Sequence, residues 1–310
     1  MNVRRARLED AQSIGQLFRA HIERWQRMLA DGSVEDVPYE KLSLYEQWQH
    51  GGAWMNTYTA TLWLSHLLRG GGIARVLEDR DGEIIGYWEG FINEEAAPFG
   101  RHLHVAHLLT LAGYAETRDT LMHDILREGT ETGRVSVTSA TYDEDRNAFY
   151  RRYGFETLSS VRRCSIPTQV GQGFYRTTDH PNSDAEQIRH MHMLLGRTGS
   201  SRQQWETIWP GIWNAVPEIA AEPLYRLRCS ASGQDAFLAF RQDLFNSRTA
   251  EVMCWSNKPF TSTLLIAIRD WAHRANYRSL IIWGDETVAR LLGNEADIAP
   301  QQISTLARDV

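Results

Sequence analysis

The order of elements readable in the first half of this chain recurs in the second, and a tandem repeat leaves few folds open. Residues 2–6 read as a short strand. Ile14, Leu17, Phe18, Ile22, Trp25 and Leu29 then recur at helical spacing, with Asp10 placed to cap that helix. Residues 39–50 and 58–68 predict two more helices, ended by Gly70-Gly71-Gly72. IARVLE and EIIGYWEGFI, rich in β-formers and joined by Asp79-Arg80-Asp81-Gly82, predict a hairpin. A strand over 103–110, a helix over 117–129, a strand over 135–140, a short helix over 143–153 and a strand over 155–164 complete the half. Ile166-Pro167 and Gly171-Gln172-Gly173 read as a linker. Beyond it, FYRTTDHPNSDAEQI repeats the opening, with Ile188 following Asp184-Ala185 as Ile14 follows Asp10-Ala11. Trp205, Trp209 and Trp213 lie four apart, on one face of a predicted helix. A hairpin turning at Gly233, the strand AEVMCW, a helix over 261–275, the strand SLIIWGD and a helix over 287–292 follow. Two domains are expected, 1–168 and 169–310.

Composition narrows the function classes. A length of 310 residues is about twice a typical domain of ~150. With 42% hydrophobic and 23% charged residues the chain has ample apolar surface to bury, which excludes a disordered protein. The net charge of -6 gives no electrostatic reason to expect nucleic acid or an anionic membrane as partner. Apolar runs such as LLIAI at 264–268 fall far short of the ~18 residues that span a bilayer. MNVRRARLED is followed by no apolar stretch, so no signal peptide is expected. Cys164, Cys229 and Cys254 are too few and too scattered for a disulfide framework or a zinc motif, which makes the cytoplasm the expected compartment. Eleven tryptophans hint at aromatic-lined cavities.

The order of elements, together with NAFYRRYGFE, resembles the GNAT superfamily of N-acyltransferases, which use acyl-coenzyme A. VRRARLEDAQSI is similar to the family's first strand and helix. Tyr150, Gly154 and Phe155 are similar to its late helix and the strand after it. The resemblance covers residues 2–166 directly, and the second half by order of elements. It implies an α+β fold in tandem form, each domain a mixed, mostly antiparallel sheet flanked by helices. In such a fold the sheet is splayed between its fourth and fifth strands to admit the pantetheine arm. The resemblance further implies acetyl-CoA as co-substrate and no metal. The acceptor would be a primary amine of a small molecule or peptide, with no nucleic-acid or membrane partner, and the chain a monomer or homodimer.

The chemistry can be stated independently of the family. An amine must lose a proton before it attacks a thioester, so a base is required. The tetrahedral oxyanion needs a donor, and a departing thiolate leaves more easily when an acid with a pKa near 10 protonates it. Pyrophosphate suits a loop at a helix N-terminus. The resemblance places Tyr150 as the proton donor; on the residues alone, Phe149, Tyr150 and Tyr153 equally pack a helix onto a sheet. Asn147, one turn earlier, either bonds the pantetheine arm or is a solvated helix residue. In LLTLAGYAETRDTLMHDIL, Gly113-Tyr114-Ala115 fits the Gly-x-Ala of the family's phosphate loop, while Thr110 stands where Arg or Gln is expected. Leu108, Leu109, Gly113, Tyr114 and Ala115 are the candidate cofactor-binding residues of that segment. Counting back from Leu121 and Met122 instead leaves no glycine in the loop. The second half, CWSNKPFTSTLL, has no glycine and carries Pro259, so it is expected to lack the cofactor site.

His102 and His104 lie two apart on a predicted strand and share a face, with His107 on the other. His104 is a candidate base; a metal pair and a purely structural pair are the other readings. Glu89, on the hairpin, is a comparable candidate base. His190 and His192, two apart on a predicted helix, face different ways. Trp48, Trp54 and Trp63 either line the acceptor side or pack the core, and the second-half trio is core or a contact between halves. A different class also fits: a degenerate, non-catalytic tandem that binds a ligand or partner protein.

Overall fold

Of the 310 residues, the computed structural model describes 1–29, 32–111, 113–114, 116–171 and 173–310. β1 (Asn2–Arg5) leads through a 3-10 turn, Leu8–Asp10, into α1 (Ala11–Arg19). Asp10 does not cap α1. Its carboxylate accepts from the Arg7 amide at 2.7 Å and from the Arg4 guanidinium at 2.7 and 3.0 Å, tying the turn to the strand. The helix stops at Arg19, short of the predicted Ile22, Trp25 and Leu29, and a small hairpin follows, β2 (Gln26–Met28) and β3 (Val34–Asp36). Packing overrides the period here: Trp25 lies against Tyr39 and His50, each ring 4.9 Å away.

Residues 39–50 divide into a 3-10 turn and α2 (Leu44–Gln49), which Ser43 and Glu46 start as a reciprocal cap. After a 3-10 turn, Gly52–Met55, comes α3 (Thr57–His66), capped by Asn56 and continued by a π turn, Leu67–Gly71, in which Gly70 takes a positive φ of 111°. β4 (Ile73–Glu78), β5 (Ile84–Glu94), β6 (Arg101–Thr110), α4 (Thr117–Gly129), β7 (Arg134–Ala140), α5 (Glu144–Arg152) and β8 (Glu156–Pro167) follow the expected order. The second half runs β9 (Tyr175–Asp179), β10 (His192–Leu195), α6 (Ser201–Ile208), α7 (Pro217–Ala220), β11 (Leu224–Ala231), β12 (Gln234–Gln242) and β13 (Thr249–Ser256). It closes with α8 (Ser262–Arg274), β14 (Ser279–Gly284), α9 (Glu286–Leu292) and β15 (Asp297–Asp309). β10 and β15 are strands that no period announces. His192 therefore sits on a strand and not on the predicted helix, and His190 before it has a positive φ of 62°.

Contacts gather the chain into two compact units, 1–91 with 105–128 and 211–221, and 92–104 with 129–210 and 222–310. In the first, strands are ordered β1-β4-β5-β6 under a core that includes Ile14, Leu17, Leu64, Val76 and Phe91. In the second, the order is β7-β15-β8-β14-β13-β12-β11-β9. β13 runs parallel to β14 while the other registered pairs are antiparallel, so the sheet is mixed and mostly antiparallel, with flanking helices, as expected of an α+β fold.

These units divide the chain elsewhere than at 168/169. The last strand, β15, lies between β7 and β8, with Leu306 opposite Val137 and Ile303 opposite Val161. β8 then runs on to pair with β14, Ile166 opposite Leu280. The tryptophan trio also separates. Trp205 and Trp209 stack at 3.9 Å in the second unit, whereas α6 ends at Ile208 and Trp213 belongs to the first-unit core. Among the described residues no helix is long and apolar enough to cross a membrane.

Candidate functional site

Alternation along β5 sends Tyr87, Glu89 and Phe91 to one face and Trp88 to the other, where its indole donates to Asp124 on α4 at 2.9 Å. Glu89 is 1% exposed. A carboxyl so buried needs donors, and three elements supply them. Trp54, on the turn Gly52–Met55, donates its indole N–H to Oε2 at 3.1 Å, Trp63 on α3 donates to both oxygens at 3.2 Å, and the Tyr87 hydroxyl donates to Oε2 at 3.0 Å. Burial nevertheless outweighs these bonds and pushes the Glu89 carboxyl up to about 7. Burial, with the carboxylate beside it, also raises the Tyr87 hydroxyl well above its usual range.

Aromatic rings hold the donors in place. Phe18 of α1 stacks on Trp54 at 5.3 Å, and Tyr87 meets Trp54 edge-on at 5.1 Å. Trp213 packs edge-on against Trp48 at 4.5 Å and lies nearly parallel to Trp63 at 6.0 Å. Trp54 and Trp63 are core rings with their N–H groups turned to a carboxyl. Tyr87 was legible as the neighbour two residues before Glu89 on the same strand face; Trp213 carried no signal that linked it to this place.

In the same unit β6 leads into α4. Leu108 is buried and Leu109 half-buried. The Leu111 amide bonds the Ile85 carbonyl at 3.0 Å, and Tyr114 turns back to Leu111 at 3.1 Å. Gly113 has a φ of 87°, a conformation that favours glycine, and among the described residues beyond its chain neighbours nothing stands within 4 Å of where a Cβ would be. This open corner precedes the positive end of a 13-residue helix, a setting that fits a phosphate group. Ala115 lies outside the described residues.

His104, Asn147 and Tyr150 belong to the second unit. The His104 ring is buried, with Nδ1 at 2.9 Å from the Ser136 hydroxyl. His102 is bonded through Nδ1 to the Gly100 carbonyl at 3.1 Å and faces Glu95 at 3.7 Å; burial lowers its pKa. Glu95 is paired with Arg197 and accepts from the Ser201 amide at 3.3 Å, while Asn93 accepts from the Arg202 amide at 2.9 Å. These side chains tie the end of β5 to the start of α6. His107 faces the other way, edge-on to Phe18 at 5.0 Å in the first unit. Asn147 is buried rather than solvated, and its amide donates to the Ala140 carbonyl at 2.9 Å, fastening α5 to the end of β7. Tyr150 is buried between Phe149 and Phe155, each ring 5.5 Å away.

The corresponding loop of the second half is filled by its own side chains. Gln234 donates to the Ser256 hydroxyl at 3.2 Å and to the Pro259 carbonyl at 2.9 Å, and accepts from Thr261 at 2.8 Å; Thr261 in turn caps α8. β13 stays beside β14 only as far as Val252 opposite Ile282. Beyond that point β10 takes up the freed edge of β13, with Leu195 opposite Cys254 and Met193 opposite Trp255, while the Gly196 amide bonds the Trp283 carbonyl at 2.8 Å.

No protein-family model matches the chain, and no curated protein matches its sequence. Solved structures do match. A GCN5-related N-acetyltransferase from Anabaena variabilis is 14% identical, with a TM-score of 0.57 over 99% of this chain and 72% of its own. One from Kribbella flavida is 12% identical, with a TM-score of 0.56 over 99% and 71%. The acetyltransferase region of a fungal multi-domain β-N-acetylglucosaminidase is 11% identical, with a TM-score of 0.52 over 99% of this chain and 38% of that one. Over its whole length, the chain has the fold of the GCN5-related N-acetyltransferases.

Proposed function

We propose that this chain is an acyl-CoA-dependent N-acyltransferase that moves an acetyl group directly from the thioester to a primary amine of a small molecule or peptide. The observation that carries the reading is Glu89, a buried carboxyl in a ring of donors whose proton affinity lies near neutrality. At neutral pH such a group is ionised often enough to act and basic enough to hold a proton. The cofactor side of the reading rests on the open corner at Gly113 before α4.

In the proposed reaction Glu89 takes a proton from the amine, the nitrogen attacks the thioester carbonyl, and the carbon–sulfur bond breaks. The thiolate collects a proton from Tyr150, the position that the sequence resemblance assigns to that role. His104, held by Ser136, is kept in this reading as a second candidate base. Leu108, Leu109, Gly113 and Tyr114 are proposed to contact the cofactor, and Ala115 keeps its place in that segment by sequence alone. The second half is proposed to bind none, because β10 and Gln234 occupy the strand edge and the loop it would need.

That same filling favours the second reading, a tandem fold that has given up catalysis and binds a ligand or partner. Calorimetry with acetyl-CoA followed by an amine panel separates the two. Binding of one acetyl-CoA per chain, with turnover that falls in Glu89→Gln and Tyr150→Phe, is expected. Absence of binding by acetyl-CoA and longer acyl-CoAs would sink the transferase.

A further inference from the structure

Glu89 owes its donors to side chains that must themselves be held. Trp54 is clasped by Phe18 and Tyr87. Trp63, which bonds both carboxyl oxygens, sits on α3 with one face turned to Trp213 and His66 5.5 Å away. Trp213 is buried, and the 3-10 turn that carries it, Gly211–Ala215, is fastened to α3 by the Tyr58 hydroxyl, which donates to the Ala215 carbonyl at 3.2 Å. The pair Trp48 and Trp213 therefore limits how far the Trp63 ring can swing away from the carboxyl. The first half also sets rings beside Trp63, His66 at 5.5 Å tilted by 30° and Phe91 at 6.4 Å tilted by 44°; Trp213, tilted by 21°, lies the most nearly parallel of the three.

We propose that Trp213 is a positioning residue for Glu89, acting through Trp63, so that the second half of the sequence sets the proton affinity of a group on β5. The proposal rests on the reading of Glu89 as proton acceptor, and its test does not depend on turnover. The titratable or charged side chains of the elements around the carboxyl include Tyr87 and Glu94 on β5 itself, Tyr58 and His66 on α3, Arg19 on α1 and His107 on β6, which lies against Phe18; of these Tyr87 bonds it. A donor to the ionised form lowers a carboxyl's pKa, so loosening Trp63 raises it.

The test follows the Glu89 carboxyl through a pH titration by NMR on protein carrying 13C in its glutamate carboxyls, the signal being assigned by its loss in Glu89→Gln. Trp63→Phe, which keeps the ring and removes the N–H, should make Glu89 about tenfold weaker as an acid, the weight of a hydrogen bond to a charged group. Trp213→Ala should shift the midpoint in the same direction, and Trp213→Phe should return it toward wild type. Should Trp213→Ala fail to fold, Trp213→Leu fills the space without a stacking ring and carries the same expectation. A wild-type midpoint in the folded Ala or Leu variant overturns the proposal. A wild-type protein that acetylates no amine while these shifts occur would retire the transferase reading and leave the Trp213 coupling standing.

Discussion

A carboxyl buried beside two indoles and a phenol makes stability depend on pH in a direction opposite to that of a salt-bridged carboxylate. The Glu89 carboxyl rises from 4.5 to about 7 on folding. Below both values it is protonated in the folded and unfolded chains alike. As pH rises between them the unfolded chain ionises first, so the folded state loses up to about 3 kcal/mol of stability and then levels off. Glu89→Gln should flatten that decline. Urea unfolding at pH 5 and pH 8 reads it out, and an equal decline in both proteins would place the pH sensitivity elsewhere. At Gly113 the positive φ and open corner predict that Gly113→Val strains the turn and crowds the phosphate position, weakening acetyl-CoA binding about tenfold or more while the fold persists. Unchanged affinity would move the cofactor away from this corner. Tyr150→Phe is expected to lower turnover by ~10²-fold with acetyl-CoA affinity intact.

Among elements, the contrast between β4–β5 and α1 shows what local sequence can do. The hairpin is legible because Asp79 and Gly82 turn between two runs of β-formers, and local chemistry suffices. The end of α1 is not, since Ile22, Trp25 and Leu29 keep the helical period while Trp25 is drawn to Tyr39 and His50. β15 is harder still: IAPQQISTLARD has neither strong alternation nor a flanking turn signal, and it becomes a strand by filling the place between β7 and β8. Removing it leaves two unpaired strand edges and strips the buried Val137 of its partner Leu306. A chain stopped after Ala296 should lose cooperative unfolding and the hydrogen-exchange protection of β7 and β8. Retained protection there would mean that β7 and β8 close on each other without it.

For the whole molecule, the chain passes between its two units at 91/92, 104/105, 128/129, 210/211 and 221/222. A cut at 168 is therefore not a cut between units. The fragment 1–168 lacks both β15 and the Trp213 turn, and it should neither fold cooperatively nor bind acetyl-CoA, whereas the full chain should bind one molecule. Circular dichroism and calorimetry on the two proteins check this. A folded, binding fragment would show that the first half is self-sufficient.

The sequence by itself determined most of the order of elements, the hairpins β4–β5 and β11–β12, the helix after the Gly113 corner, and the resemblance to a family whose fold these make, because periodicity and turn chemistry act between near neighbours. It also placed Glu89 on a hairpin strand as a candidate base. The tertiary structure decided the rest. The indoles that bond Glu89 come from 35 and 26 residues before it, and the ring that braces one of them comes from position 213. Likewise β15 reaches back to β7 and β8, and β10 fills an edge of β13. Such pairings depend on which surfaces remain unsatisfied once the local elements have formed, and no stretch of sequence carries that information alone.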